Sequence, residues 1–195
     1  MQTVLGCGLA LSLFAPFAGA RAGTEKLLYS FTGSTGQNPQ GGLVSDKAGN
    51  LYGTTESGGT GNYGTLFKLA PNGAEGVLFS FDYSDGARSY AGLVADKAGN
   101  LYGTTQQGGS TSAGVVFKLA PDGSETVLHT FLGQSGGDGA FPVAGLIMDK
   151  KGNIYGTTQD GGTDDNGVVF KVQGTVLKPC SIPLSAVTAD GLTAA

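Results

Sequence analysis

Carboxylates are the side chains in this sequence that come nearest to a catalytic set. Six aspartates lie in stretches rich in Gly, Ser and Thr, namely Asp82, Asp85, Asp138, Asp160, Asp164 and Asp165. Two carboxylates placed across a glycosidic bond can act as acid and base in its hydrolysis. The spacing of these aspartates does not require such a pair, so we interpret them as solvated loop residues. We therefore predict no catalytic residues. The alternatives are a fragment of a secreted polysaccharide-acting enzyme and a truncated product without a ligand.

The chain has one histidine, His129, which stands 50 residues after Phe79 and 100 residues after Tyr29. Aromatic residues at one point of a repeat are typical of a packed strand position, so His129 is not interpreted as a general base. Thr54 and Thr55 also lie in a strand-like run and lack a nearby base. Nucleophilic catalysis is therefore not predicted.

Metal and phosphate sites are not predicted either. The segments "DYSDG" and "TDDNG" match only part of the pattern of a calcium loop. Three glycine pairs lack the Lys-Ser/Thr that follows in a phosphate loop, namely Gly58-Gly59, Gly108-Gly109 and Gly161-Gly162. Cys7 and Cys180 supply no zinc set. We expect no metal and no cofactor.

Aromatic residues in glycine-rich stretches point instead to binding. These are Tyr63, Tyr83, Tyr90 and Phe141, and Arg88 lies between two of them. Exposed aromatic rings can stack on sugars or anchor a protein partner. The alternative is that these rings only close over the edges of the fold. We predict these five residues as the ligand-binding set, with a carbohydrate or protein ligand left open.

The elements that must position these residues are repeated along the chain. "AGNLYGTT" at residues 98–105 recurs at 48–55 and, as "KGNIYGTT", at 151–158. A period near 50 residues with four strand-like segments per unit is typical of propeller blades. The segments of one unit are "GLVSD", "LYGTT", "TLFKLA" and "VLFSF", and "LLYSF" at Leu27 to Phe31 is a further fourth strand before the first full unit. Neighbouring apolar residues in these segments predict strands buried on both faces.

The turn between the first two strands of each unit has a defined chemistry. Asp46, Asp96 and Asp149 precede "KAGN" or "KKGN", where a glycine allows the positive φ that a short hairpin needs. A short carboxylate can accept hydrogen bonds from turn amides. We interpret these aspartates as turn formers and not as metal ligands.

On these residues the chain resembles the GloVer tandem repeat proteins of bacteria. Their unit reads approximately G-N-L-Y-G-T-T, then G-G, then G-x-V-F-K-L, and the resemblance covers Leu27 to about Val172. It implies an exported β-propeller-like protein, often tethered to the cell surface by C-terminal anchors of varying kind. It implies no catalytic residues.

The strand order divides the predicted fold into two rims. The hairpin turns, "DKAGN" and "APNG" and their equivalents, share what we call the turn rim. The variable connections share the loop rim, which comprises residues 32–40, 56–63, 82–90, 106–113, 132–143 and 159–166. Rigid scaffolds present working residues on variable loops, so we expect function on the loop rim.

Composition and the chain termini complete the predicted organisation. Glycine makes up 36 of 195 residues and the net charge is -4, which favours an all-β fold and gives no footprint for nucleic acid. The apolar run of residues 4–17 precedes small residues, so residues 1–22 are interpreted as a signal peptide for secretion, with no stable membrane span after its removal. Residues 27–177 form the three-repeat domain, and 178–195 are expected to be a disordered tail.

Three units leave an open question of closure. Rings usually have about four to eight blades, and unpaired edges invite association. The alternatives are truncation of a longer gene, which we favour, a dimer that shares a six-bladed ring, and a short open stack. The sequence therefore predicts an exported, non-catalytic propeller-repeat protein that binds a ligand and can form a homo-oligomer.

Overall fold

The computed structural model of the protein describes residues 24–173, which form three antiparallel sheets in chain order. The first sheet contains β1 (Val44–Ser45), β2 (Leu51–Thr54), β3 (Thr65–Leu69) and β4 (Glu75–Ser80). The second contains β5 (Val94–Ala95), β6 (Leu101–Thr105), β7 (Val115–Leu119) and β8 (Glu125–Thr130). The third contains β10 (Ile147–Met148), β11 (Ile154–Thr157) and β13 (Val169–Val172). A small pair, β9 (Gly139–Ala140) with β12 (Asp160–Gly161), accompanies the third sheet.

This architecture confirms the predicted all-β fold with propeller-like blades of four antiparallel strands. The third unit carries three of its four predicted strands within the described residues, and the fourth lies outside them. The predicted signal peptide at 1–22, the last residues of the predicted domain and the tail at 178–195 also lie outside. The third unit has a longer period because three residues are inserted before Gly139. That connection contains one turn of 3-10 helix at Gln134–Gly136.

The recurrent aspartate is bound by its turn as the sequence predicts. In the second sheet, Asp96 Oδ1 accepts hydrogen bonds from the Ala98 and Asn100 amides, at 2.9 and 3.0 Å. Its Oδ2 accepts from the Asn100 side chain at 2.6 Å and from the Tyr102 hydroxyl at 3.0 Å. Gly99 closes the hairpin at a φ of 87°. Asp46 and Asp149 make the same bonds, and the asparagine hydrogen bond contributes most to holding their pKa at about 2.

The core lies between successive sheets. Phe81, at the end of the first unit, packs its ring against Phe117 of the second sheet with centroids 5.2 Å apart. Phe131 packs against Phe170 of the third sheet in the same way, at 5.0 Å. One core cluster joins the first and second sheets and another joins the second and third. Strands of the middle sheet are therefore buried on both faces, which confirms that prediction.

The prediction of a strand at Leu27 to Phe31 is wrong. No strand is assigned to this segment, because no third strand of a preceding sheet lies beside it among residues 24–173 to share main-chain hydrogen bonds. Phe31 nevertheless packs against Phe67 with centroids 4.8 Å apart, as Phe81 packs against Phe117. The segment thus keeps the packing role of a fourth strand without its ladder.

Candidate functional site

Main-chain bonds hold the variable connections together at one end of each sheet. Ala87, after the first sheet, pairs with Gln107 in the connection between β6 and β7. The Arg88 amide donates to the Tyr63 carbonyl oxygen at 2.9 Å, which ties the connection between β4 and β5 to the connection between β2 and β3. Equivalent bonds join Gln37 to Ser57. The two kinds of variable connection therefore share one rim, in agreement with the sequence analysis.

Four of the five predicted binding residues lie at this rim, two of them in contact with Glu56 and two packed against each other. The Tyr90 hydroxyl donates to Glu56 Oε1 at 2.9 Å, and the Arg88 guanidinium lies 3.5 Å from the same oxygen. Tyr63 and Tyr83 pack as a tilted pair with ring centroids 5.2 Å apart. We call these five residues the Glu56 cluster. It joins the β2–β3 connection to the segment that leads into the second sheet.

The cluster presents both a ring surface and charged groups to solvent. Tyr63 and Arg88 are exposed, whereas Tyr83, Tyr90 and Glu56 are half-buried. Burial and the hydrogen bond to Glu56 raise the pKa of Tyr90, so its hydroxyl is a hydrogen-bond donor at neutral pH. A ligand at this surface would meet aromatic faces beside a guanidinium and a carboxylate.

Three of the predicted residues have backbones in the left-handed region. Tyr83, Arg88 and Phe141 have φ values of 78°, 58° and 56°. Such a conformation costs about 1–2 kcal/mol for a residue with a side chain. The surrounding main-chain bonds must offset this cost, and they fix the direction in which each side chain leaves the rim.

Phe141 does not join the Glu56 cluster. It stands in the third unit at the position that Arg88 holds in the second, and its amide donates to the Ala113 carbonyl oxygen at 2.8 Å. Its half-buried ring packs against the core between the second and third sheets. Its environment thus corresponds to the alternative of an aromatic residue that closes over the edge of the fold.

Glu56 is a residue of the candidate site that the sequence analysis missed. Gln40 also contacts it, donating to Oε2 at 2.8 Å. The missed signal was local, because the other units place Gln106 and Gln159 where Glu56 stands. A glutamate at a position where the other two units have glutamine distinguishes the first unit.

A groove of about 680 Å³ lies on the opposite side, at the turn rim between the first two sheets. Its apolar wall includes Tyr52, Leu101 and Leu119, and Asp46 and Asp96 lie at its edge. The carboxylates of both aspartates are already occupied by the hydrogen bonds of their own turns. The groove is built from positions that the units share, whereas the Glu56 cluster occurs in only one unit of the described chain.

A second set of carboxylates lies between the first and second sheets. Glu125 begins β8, and Val127 two residues later packs in the core that these sheets share, so both side chains point toward the first sheet. The Oε1 atom of Glu125 is buried without a hydrogen-bond partner among the described residues. Burial, followed by the charges of Asp85 and Asp82, raises the pKa of Glu125 to about 7.

The repeat explains this isolated carboxyl group. In the first unit the Tyr29 hydroxyl donates to Glu75, the equivalent of Glu125, at 3.1 Å. The same hydroxyl lies 3.1 Å from the Thr35 hydroxyl. One repeat period later, Phe79 stands in place of Tyr29 and Asp85 stands in place of Thr35. A hydrogen-bond donor is thus lost and a negative charge is added beside Glu125.

We expect the free energy of unfolding to fall as pH rises from about 4.5 to about 7. Native Glu125 holds its proton in this window and the unfolded chain does not, so the unfolded state binds fewer protons. The half-exposed carboxyl reduces the effect to about 1–2 kcal/mol. Urea unfolding across this range measures it, and subtraction of the same titration of Glu125→Gln removes the contribution of the other titrating groups.

Two variants test the assignment to Glu125. Glu125→Gln should flatten the pH dependence, and Phe79→Tyr should shift it to lower pH by restoring the donor found in the first unit. A slope in Glu125→Gln as steep as that of the parent would contradict the assignment.

One repeat period further, His129 and Asp138 occupy the positions of Phe79 and Asp85. His129 Nε2 lies 2.7 Å from Asp138 Oδ2, and its ring packs against Phe131 with centroids 4.9 Å apart. His129 is therefore in a packed strand position, as the sequence predicts. The hydrogen bond to Asp138 was not predicted.

Two structural features of residues 24–173 concern metal binding and membrane insertion. Over residues 24–173, no group of three or more His, Cys, Asp or Glu side chains is placed to hold a metal ion. The same residues contain no helix with the length and apolar character needed to cross a bilayer.

The chain is similar to known proteins in its repeat sequence and in its sheets. A family model described as the Gloeobacter/Verrucomicrobia repeat matches residues 17–179. No curated protein sequence matches the chain. Among solved structures, a streptogramin B lyase is 18% identical with a TM-score of 0.47, over 73% of this chain and 42% of that one. Virginiamycin B lyase from Staphylococcus aureus is 14% identical with a TM-score of 0.42, over 72% of this chain and 42% of that one. A gluconolactonase from Xanthomonas campestris is 12% identical with a TM-score of 0.40, over 68% and 61%.

Proposed function

The chain belongs to the Gloeobacter/Verrucomicrobia repeat family, and we propose that it is an exported, non-catalytic binding module whose loop rim recognises a carbohydrate. The observation that carries the proposal is the contact of Arg88 and Tyr90 with Glu56. The Tyr63–Tyr83 ring pair lies at the same rim, where the Arg88 amide is bonded to the Tyr63 carbonyl oxygen. This set of side chains has no counterpart in the other described units.

The chemistry of the cluster suits a polyhydroxylated ligand. The face of a sugar ring is apolar and packs on an aromatic ring, so Tyr63 and Tyr83 supply a stacking surface. The guanidinium of Arg88 donates hydrogen bonds in a fixed planar geometry, and the Glu56 carboxylate accepts them from hydroxyl groups. The strained backbones of Tyr83 and Arg88 hold these groups in place before the ligand arrives, which reduces the ordering cost of binding.

Retention on immobilised polysaccharides tests the proposal. We expect the wild-type protein to be retained by at least one member of a panel, and Tyr63→Ala or Arg88→Ala to weaken that binding about tenfold or more. Leu132→Ala is the matched control, because Leu132 is an exposed side chain of the loop rim outside the cluster. Retention that survives both cluster substitutions would refute the site, and no retention by any polysaccharide would refute the carbohydrate ligand. The second outcome would favour a protein ligand.

Glu125 supports one other function, that of a fragment of a secreted polysaccharide-acting enzyme. Hydrogen bonding to Ser84 lowers the pKa of Asp82, while burial raises the pKa of Asp85. Carboxyl groups whose pKa values differ can serve as acid and base. Release of reducing ends from the panel would support this alternative if Asp82→Asn or Glu125→Gln abolished it. Asp138→Asn provides the comparison in the third unit, where the carboxylate is paired with His129.

Export is part of the proposal and rests on the apolar run of residues 4–17 followed by small residues. The intact mass of protein recovered from outside a bacterial host should correspond to cleavage after Ala20 or Ala22. Retention of the whole leader in a cytoplasmic product would exclude secretion by this route.

A further inference from the structure

The first sheet has an uncovered apolar face on the side away from the second sheet. Leu43 is 57% exposed, although Leu93 and Leu146 at the same point of the next two units are 8% and 5% exposed. The side chains of Leu93 and Leu146 are covered because a preceding sheet packs against them. Leu27 and Leu28, just before the first sheet, are also exposed. The first sheet therefore presents the near face of a blade with nothing packed on Leu43.

The third sheet has an uncovered face on its opposite side. Val169 is 81% exposed, whereas Leu66 and Val116 at the same position of the first two sheets are fully buried. Ile147 on the first strand of this sheet is exposed as well. The third sheet therefore presents the far face of a blade.

A polar position on the same face is also left without a partner sheet. Thr54 is buried on the first sheet and donates to the Ala91 carbonyl oxygen of the next unit at 3.2 Å. Thr157 holds the position of Thr54 in the third sheet and is exposed. The middle sheet buries the equivalent Thr104 without this hydrogen bond, so burial of the threonine is the feature that the two inter-sheet contacts share.

The two uncovered faces correspond to the two sides of the contact between successive sheets, which the chain already forms twice. Leu66 and Leu93 belong to one core cluster, and Val116 and Leu146 belong to the other. Val169 is the residue of the third sheet that corresponds to Leu66 and Val116. Leu43 is the residue of the first sheet that corresponds to Leu93 and Leu146. The far face of the third sheet and the near face of the first are therefore complementary by repeat position.

We propose that a second copy of this chain covers both faces, so that two copies close into one ring of six sheets. The third sheet of each copy packs on the first sheet of its partner, with Val169 against the partner's Leu43. A head-to-tail contact either closes into a ring or grows into a filament. Six sheets lie within the usual range of about four to eight for propellers, so closure is the favoured outcome.

A closed pair also contains the new contact twice. Stable interfaces bury about 1,200–2,000 Å² of surface in total, so each of the two contacts has to supply only about half of that area. The ring leaves no sheet end open, which removes the unpaired apolar faces that otherwise favour aggregation.

The molar mass in solution tests the proposal on the full chain. We expect light scattering after size exclusion to give twice the chain mass of 19.5 kDa, with no larger species as concentration rises. Val169→Lys and Leu43→Glu should each give a monomer, with the dissociation constant raised about a hundredfold or more. Leu78→Lys is the matched control, because Leu78 is exposed but lies between the first and second sheets within one copy. A wild-type monomer, or a ladder of larger species, overturns the closed pair.

A mixture of the two monomeric variants shows whether each is monomeric because the ring contact is lost or because the chain no longer folds. In a mixed pair, one contact joins Lys at position 169 to Glu at position 43, and the other contact is wild type. We therefore expect Val169→Lys and Leu43→Glu to form a pair together although neither does so alone. Failure of the mixture to associate overturns the head-to-tail arrangement. Retention on polysaccharide by the Glu56 cluster is measured independently, so either proposal can fail without the other.

Discussion

Phe117→Ala is expected to lower the free energy of unfolding by about 3–5 kcal/mol. Phe117 is fully buried in the core between the first and second sheets, and its ring packs edge-on against Phe81. The ring also fills the space left by the absent side chain of Gly103, where a Cβ atom would lie only 2.9 Å from Phe117 Cε1. Truncation therefore removes the ring that joins two units and leaves a cavity that the paired strands cannot close.

Urea unfolding at constant slope measures this loss, and Phe170→Ala is its control. Phe170 stands at the same position in the third sheet and packs against Phe131, but it is only half-buried. Its truncation should cost clearly less than that of Phe117, because less apolar surface is lost from the interior. Equal losses of unfolding free energy in the two variants would indicate that the greater burial of Phe117 does not make it more stabilising than Phe170.

Much of this fold could be predicted from the sequence because each unit is defined by short-range chemistry. The Asp46 turn depends on residues within six positions of one another, and all its hydrogen bonds form inside that segment. The apolar runs of the third strands identify sheets buried on both faces, as Val115 and Val116 show. Repetition of such local patterns three times predicts the strand order without knowledge of distant contacts.

What could not be predicted depends on neighbours that come from other units. Leu27 to Phe31 has the composition of a fourth strand, but a strand requires a hydrogen-bonded neighbour as well as a pattern. The environment of Glu125 depends on Phe79 and Asp85, which precede it by about 40 residues. Burial, followed by the charges of Asp85 and Asp82, raises its pKa, and this burial depends on residues far from Glu125 in the sequence.

The candidate site shows the same division. Strand order alone decides which connections share a rim, so the sequence predicts that Tyr63, Tyr83, Arg88 and Tyr90 lie on one side of the molecule. The loops did not identify Glu56 as the partner of Arg88 and Tyr90. Arg88 reaches Glu56 from a backbone with a positive φ and a main-chain bond to Tyr63. Side-chain convergence of this kind is a property of the folded backbone.

The glycine before each third strand is required by the packing of the loop rim. Gly114 has a φ of 95°, and its amide donates to the Gly108 carbonyl oxygen at 3.2 Å. A Cβ atom at this position would collide with the Thr105 carbonyl oxygen and lie 2.8 Å from the Gln106 carbonyl oxygen. Gly64 and Gly167 have the same surroundings in their own units. The recurrence of this glycine in the sequence thus has a backbone cause.

Gly114→Ala is expected to lower the free energy of unfolding by about 2–5 kcal/mol. The left-handed conformation contributes about 1–2 kcal/mol and the collision with backbone atoms about 1–3 kcal/mol. Gly123→Ala separates the two causes, because Gly123 has a similar φ of 86° and nothing within 4 Å of the added carbon. It should cost about 1–2 kcal/mol in the same urea titration. If the two variants lost equal stability, the carbonyl collision would not be the reason that this position is glycine in every unit.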